Sequence, residues 1–307
     1  MQPHETKKTL SLNESRYCII VISKPLGEAV QLIQMNLKGI NDVKDQCKLY
    51  DADIQRFQAE LKFTGFERKI CQLDYPMTVC ASDKCKKYVN IGKSMEKQTI
   101  YPKHCHAHCY LSGIPIETTN NDRLYRCAAM SEGKCMKCGC NYKFHMHITY
   151  NTTLVEKEFL SDEVQAQINK KSDMKEKKKA FIKELEKRIC ELEEEKRIIF
   201  HCASHFGVFL IRNAMIPYND SFSDYLDMLI RDEEGKEREI RNDKRIIQLK
   251  KDKETHEQNK EIIMSTIPSS SDKMKQFISI EQIYEMREAL CSLKHNGKTL
   301  REALGNN

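Results

Sequence analysis

Nine of the fourteen cysteines and five of the ten histidines lie between Cys71 and His147. They fall in tight groups: Cys80-x4-Cys85, His104-Cys105-His106-x-His108-Cys109, Cys127, Cys135-x2-Cys138-Gly139-Cys140 and His145-x-His147. Soft thiolates and imidazoles at such spacings suit a tetrahedral zinc ion, because two ligands a few residues apart leave one turn and two turns close a site. Cys135-x2-Cys138-Gly139 is the strongest signal, since a glycine after the second cysteine lets backbone amides turn towards the sulfurs. Cys140, His145 and His147 follow closely enough to complete that site, with Cys127 upstream as a further candidate. Cys80, Cys85, Cys105 and Cys109 form a second plausible set, and His106 competes with those cysteines along with His104 and His108. The expected ligands are drawn from Cys80, Cys85, Cys105, His106, Cys109, Cys127, Cys135, Cys138, Cys140, His145 and His147. Two structural zinc ions are expected. The spacing leaves the partition open between sequential and cross-braced sites. Cys71 lies outside any pair and reads as a buried thiol.

Catalysis finds little support. A zinc enzyme keeps one coordination position open beside a general base. The chain has neither His-Glu-x-x-His nor the deaminase pattern His-x-Glu followed by Pro-Cys-x-x-Cys. No catalytic or cofactor-binding residue is assigned beyond the metal ligands. Gly92-Lys93-Ser94 and Gly297-Lys298-Thr299 lack the earlier glycine of a P-loop, having Lys87 and Ser292 there, and read as ordinary turns.

The chain has 307 residues, 40% hydrophobic and 31% charged, with no Trp and little Gly or Pro, which favours helices over a turn-rich β fold. The net charge of +6 argues weakly for a polyanionic partner. From Cys71 to Tyr150, eleven Lys/Arg against six Asp/Glu give +5, which bound thiolates would offset. Nucleic-acid binding is therefore a minor alternative. The polar N-terminus does not read as a signal peptide, and the apolar runs Cys18 to Ile22 and Val208 to Ile211 are too short to span a membrane. A reducing, cytoplasmic location is expected, with cysteines as thiols or ligands. Cysteines alternating with histidines fit the rival disulfide framework poorly.

The surrounding elements read as helices. Ser11 to Glu14 has capping-box form. Leu26, Val30, Ile33, Leu37 and Ile40 make one apolar stripe, within which Pro25 should kink or divide the helix. Asp74 to Val79 looks like a short extended entry, and His145 to Tyr150 alternates as a strand with His145, His147 and Thr149 on one face. Helix is expected again from 153. There Ile182, Leu185, Ile189, Leu192 and Ile199 follow a heptad, with Lys196 at one seam position, forming either a coiled-coil arm or dimer seam, or one bundle helix. Ser221-x-x-Asp224 and Ser279-x-x-Gln282 mark later helix starts, Glu233 to Lys260 reads as a solvated helix, and Ser265 to Lys273 as a linker.

Several of these segments, taken in order, resemble one family. They are Thr9-Leu10-Ser11-Leu12-Asn13-Glu14, Ser23-Lys24-Pro25-Leu26, Tyr75-Pro76-x-Thr78-Val79-Cys80, and His104-Cys105-His106-x-His108-Cys109-Tyr110-Leu111. Cys127-Ala128-Ala129-Met130 and Cys135-x2-Cys138-Gly139-Cys140 through His145-Met146-His147-Ile148-Thr149-Tyr150 complete the set. The resemblance is to the Cys/His-rich region that follows the G domain in AIG-type (immune-associated, septin-like) P-loop GTPases of invertebrates and fungi. It covers roughly residues 5 to 150. It implies that the matching Cys and His positions are metal ligands. With no G domain before Thr9, the chain reads as a fragment, a truncated gene product or a stand-alone derivative, and GTP binding is not expected.

The expected fold is mainly α, with a small zinc-stabilised α+β Cys/His-rich insert and a coiled-coil-like helical arm. The expected divisions are residues 1–68 (helical), 69–152 (zinc module), 153–264 (helical arm) and 265–307 (linker and last helix). The expected function is a non-catalytic interaction or scaffold module that binds a protein partner or a second copy through the arm. A RING-like adaptor in ubiquitin transfer is the alternative.

Overall fold

A computed structural model describes residues 11–49, 63–92, 96–111, 114, 118–160, 162–170, 173–213, 220–266 and 278–304. Helices account for most of this chain, with a small sheet region and a cysteine-rich cluster.

Helix α1 (Leu12–Leu49) opens on the expected capping box. The Glu14 amide donates to the Ser11 hydroxyl at 3.1 Å, and the Ser11 amide donates to the Glu14 carboxylate at 2.8 Å. Leu26, Val30, Ile33 and Ile40 are wholly buried and Leu37 packs beside them. The helix runs undivided through Pro25. By length and composition α1 could cross a membrane, which the short runs in the sequence did not suggest, but 72% of its apolar window is buried inside the protein.

After the short α2 (Asp162–Asn169) come α3 (Met174–Asn213), α4 (Ser221–Glu234), α5 (Asp243–Thr266), α6 (Ile280–Cys291) and α7 (Gly297–Leu304). Helix α1 packs against α3, α4, α6 and α7, while α5 lies on α3 and α4. The heptad residues Leu185, Leu192 and Ile199 are buried in the same core as α1, so the seam is used within the bundle. Lys196, the polar seam residue, pairs with Asp252 of α5 at 2.8 Å. The segment expected to be solvated thus buries Ile246, Leu249, Asp252 and His256. Asp220, not Ser221, caps α4 by accepting from the amides of Phe222 and Ser223. Ser279 and Gln282 form the expected capping box on α6. Gly297-Lys298-Thr299 starts α7 and is not an ordinary turn. The expected linker falls mostly in 267–277, outside the described residues.

Two long strands form the spine of the sheet. β1 (Thr64–Cys80) runs antiparallel to β7 (His145–Glu158), in register from Thr64 opposite Glu158 to Cys80 opposite His145, with an irregularity between Gln72 and Met77. The helix expected from 153 is therefore strand through Glu158, and the short extended entry is the end of a long strand that starts before 69. β4 (His104–His106) flanks the other edge of β1. β2 (Lys87–Asn90) with β3 (Lys97–Ile100), and β5 (Met130–Ser131) with β6 (Lys134–Cys135), are hairpin pairs.

A buried polar cluster fastens the sheet to α1. Glu28 takes Arg68 of β1 at 3.3 Å, Lys24 at 3.7 Å and the Tyr150 hydroxyl of β7 at 2.9 Å. Asn36 accepts the Phe66 amide at 2.7 Å and donates to the Phe66 carbonyl at 2.9 Å, so the strand backbone is satisfied where it meets the helix.

Candidate metal centre

The pleat at the end of the β1–β7 pair separates two kinds of residue. Val79, Met146 and Ile148 are buried together with Met228 of α4 beside them, so this face rests on the bundle. Cys80 and Thr78 of β1 stand opposite His145 and His147 of β7, and Thr78 is also opposite His106 of β4. Directly paired residues share a face, so this side of the sheet carries a row of metal-type donors. Knuckle turns bring the other cysteines over that row.

Three groups of donors converge there, each with its atoms within 4.8 Å of one another: Cys80, Cys85, Cys138 and Cys140; Cys105, Cys135, Cys138 and His145; and His106, Cys109 and Cys127. A tetrahedral ion with its usual zinc–sulfur bonds sets its sulfurs about 3.8 Å apart. Cys85 and Cys140 are 3.8 Å apart, and Cys109 and Cys127 are 3.7 Å apart. Imidazole nitrogens lie closer, with His145 Nε2 at 3.3 Å from Cys138 and His106 Nδ1 at 3.3 Å from Cys127. The sequence set that joined Cys80 and Cys85 to Cys105 and Cys109 is replaced, because those four divide among all three groups. The order is interleaved along the chain, and there are three groups where two ions were expected.

His147 belongs beside the third group. It is buried, faces the same side as His106 through Thr78, and its Nε2 has no hydrogen-bond partner among the described residues. A buried polar nitrogen without a partner calls for an explanation, and its place on the donor face makes His147 a candidate fourth ligand for the third group, which itself holds three donors. Burial, and then the neighbouring His106, push the His147 ring below its ordinary value, and burial does the same for His145. Both rings are thus held in the neutral form that binds metal. Nδ1 of His145 is 3.0 Å from the Asn141 carbonyl, a contact that fixes the ring with Nε2 towards the sulfurs.

Backbone amides face the sulfurs as the knuckle spacing implies. Burial pushes the Cys135 thiol up, but the amides of Cys138 and Lys137 and the thiols of Cys105 and Cys138 outweigh it, so the group lies below its ordinary value. Cys140 is likewise lowered: burial opposes this, and the Ser82 hydroxyl and neighbouring thiols prevail. Burial dominates at Cys80, Cys105 and Cys127, which are raised, and it pushes Cys138 up to about 11. Gly139 makes the turn between Cys138 and Cys140 at φ +74, a left-handed conformation that glycine adopts without penalty.

Of the remaining candidates, His104 and His108 are exposed, and His108 stacks on Tyr75 at 4.6 Å. Cys71 is exposed on β1, correcting the expectation of a buried thiol. Among the described residues no disulfide joins two cysteines. Thr78, which sequence reading passed over, is wholly buried with its hydroxyl 3.6 Å from Cys127 Sγ. Its only sequence signal was its place two residues before Cys80.

A second polar cluster lies in the bundle. Ser204 Oγ is 3.2 Å from His256 Nδ1, and His256 Nε2 is 2.6 Å from Asp220. The order is that of a Ser-His-Asp triad, but Ser204 and His256 have no exposed surface and Ser204 already donates to the Phe200 carbonyl at 2.8 Å. Lys260, 2.7 Å from both Asp220 and Glu257, occupies the place a cation would take. This network fastens α3, α4 and α5 together.

Fold and site together define a helical bundle bearing a small lobe of convergent cysteines and histidines. Residues 72–151, which hold that lobe, match the model of a domain of unknown function (DUF8206). No curated protein and no solved structure matches the chain.

Proposed function

We propose that the lobe is a structural zinc module and that the chain works as a non-catalytic interaction or scaffold protein, akin to the region that follows the G domain in AIG-type GTPases. One observation carries the zinc reading: away from the strand face that rests on the bundle, the lobe's buried cluster is made mostly of its candidate ligands. Its buried cluster consists of Cys80, Cys85, Cys105, Cys109, Cys127, Cys135 and Ala129, with Leu111 and Met130 partly buried. So small a core does not fold an independent unit, whereas metal binding supplies folding free energy outright. Thiolates with imidazoles in four-membered sets select zinc among the common divalent ions. The two groups of four protein ligands leave no open position for catalysis, and His147 as fourth ligand would close the group of His106, Cys109 and Cys127. Chelation of the purified full chain should release zinc and abolish the lobe's amide protection from exchange while the bundle stays folded. Retained protection in the chelated protein would sink the reading.

The interaction role draws on the lobe's surface. Tyr110 and Met136 are 71% and 69% exposed, and Tyr75, Tyr125 and Phe144 are exposed as well. Aromatic side chains and Met are enriched at the centres of protein interfaces. Because the heptad seam is covered by α1, a partner is better served by this rim than by the arm. The interleaved ligand order favours one alternative, a RING-like adaptor. Discharge of a charged ubiquitin-conjugating enzyme by the full chain would support it over a simple scaffold.

A further inference from the structure

We propose that the Cys138 thiolate bridges two metal ions, so that the lobe holds a binuclear cluster and a separate mononuclear site, three ions per chain. This rests on the zinc reading above and adds the way the ligands are shared. The first group (Cys80, Cys85, Cys138, Cys140) and the second (Cys105, Cys135, Cys138, His145) have only Cys138 in common. Seven donors complete two four-coordinate ions only when one of them serves both. The chain places Cys138 for this purpose. Cys135 lies before it in the knuckle and joins the second group, Cys140 lies after it and joins the first, and the left-handed Gly139 turns the backbone between them.

Charge points the same way. Six thiolates and one dication would leave a net charge of −4 in this cluster, and a second dication reduces it to −2, the value of a single four-cysteine zinc site. Crowding that many thiolates around one ion is costly where sulfurs are buried. With His147 completing the third group, the eleven donors expected from the sequence fill three sites with none left over.

The full chain loaded with cadmium-113 tests this directly, because cadmium takes the same thiolate sites and a bridging sulfur transmits scalar coupling between two cadmium nuclei. Native mass spectrometry should count three ions per chain. The cadmium spectrum should show two resonances coupled to each other and a third, uncoupled, from the site with two sulfurs and two imidazoles. Cys138→Ala should abolish the coupling and remove at least one ion, whereas Cys71→Ser should leave three ions and the coupling intact. If the Cys138 variant does not fold, the coupling in the unsubstituted protein still decides. Two ions per chain, or three with no mutual coupling, would overturn the sharing and leave the zinc reading standing. No bound ion would overturn the zinc reading itself, and the sharing with it.

Discussion

Thr78 stands between two imidazoles on the donor face of the sheet, opposite both His106 and His147, with its hydroxyl 3.6 Å from Cys127. A hydroxyl so placed would donate to a Cys127 thiolate that held a metal, and would tune it without being a ligand itself. Removing such a neighbour lowers metal affinity by roughly 10- to 100-fold. Thr78→Val keeps the shape of the side chain, so chelator competition should reveal a loss of that size at one ion only. Gly139 offers a second test at this scale. A Cβ there meets nothing within 4 Å, so Gly139→Ala carries conformational strain alone. The strain should be about 1–2 kcal/mol, read as a lowered midpoint for lobe unfolding, and Gly139→Asn should recover part of it. The ligand types were legible in the sequence because cysteine pairs and the glycine after Cys138 are local features. Their partition was not. Cys80 meets Cys140, and Cys105 meets His145, only because β1, β4 and the knuckle are brought together by pairing over long stretches of chain.

Among the elements, the amphipathic helices were the most readable. The stripe on α1 and the heptad on α3 became core because a 3.6-residue period survives whatever the partner is. Strands β1 and β7 were not readable over their full length. Their outer halves mix charged and apolar residues without alternation, and they hold as strands by pairing with each other and by the Glu28–Arg68–Tyr150 cluster on α1. That cluster predicts its own cost. Glu28→Ala leaves Lys24 and Arg68 buried without their carboxylate and should destabilise the chain by about 3–5 kcal/mol, measured by denaturant unfolding. A change under about 1 kcal/mol would show that the pair is replaceable there. At the α4 cap, His256 and Lys260 hold Asp220 at about 2 against the burial that opposes them, below its ordinary 3.8. A lowered carboxylate stabilises the fold above its unfolded value and loses that stabilisation as pH falls through the folded one. Stability worth about 2 kcal/mol should therefore disappear between about pH 4 and pH 2. Asp220→Asn should flatten that part of the acid-unfolding profile, and a variant whose profile matches the unsubstituted protein would contradict the assignment.

On the scale of the whole molecule, two kinds of core are joined through one sheet. The bundle core is aliphatic and aromatic, with Ile22, Leu26, Ile33, Phe181, Leu185 and Leu210 wholly or almost wholly buried, and its stability should not depend on metal. The lobe core is cysteine, and its stability should depend on the ions. β1 and β7 cross from one to the other, so the donor face and the bundle-facing residues alternate along the same strands. The measurement that bears most directly on this account is metal content per chain, by elemental analysis of protein purified without added metal, paired with unfolding before and after a chelator. The account predicts bound zinc, and after chelation the loss of one unfolding transition with the helical transition retained. Protein that carries no metal and unfolds identically with and without chelator would contradict it.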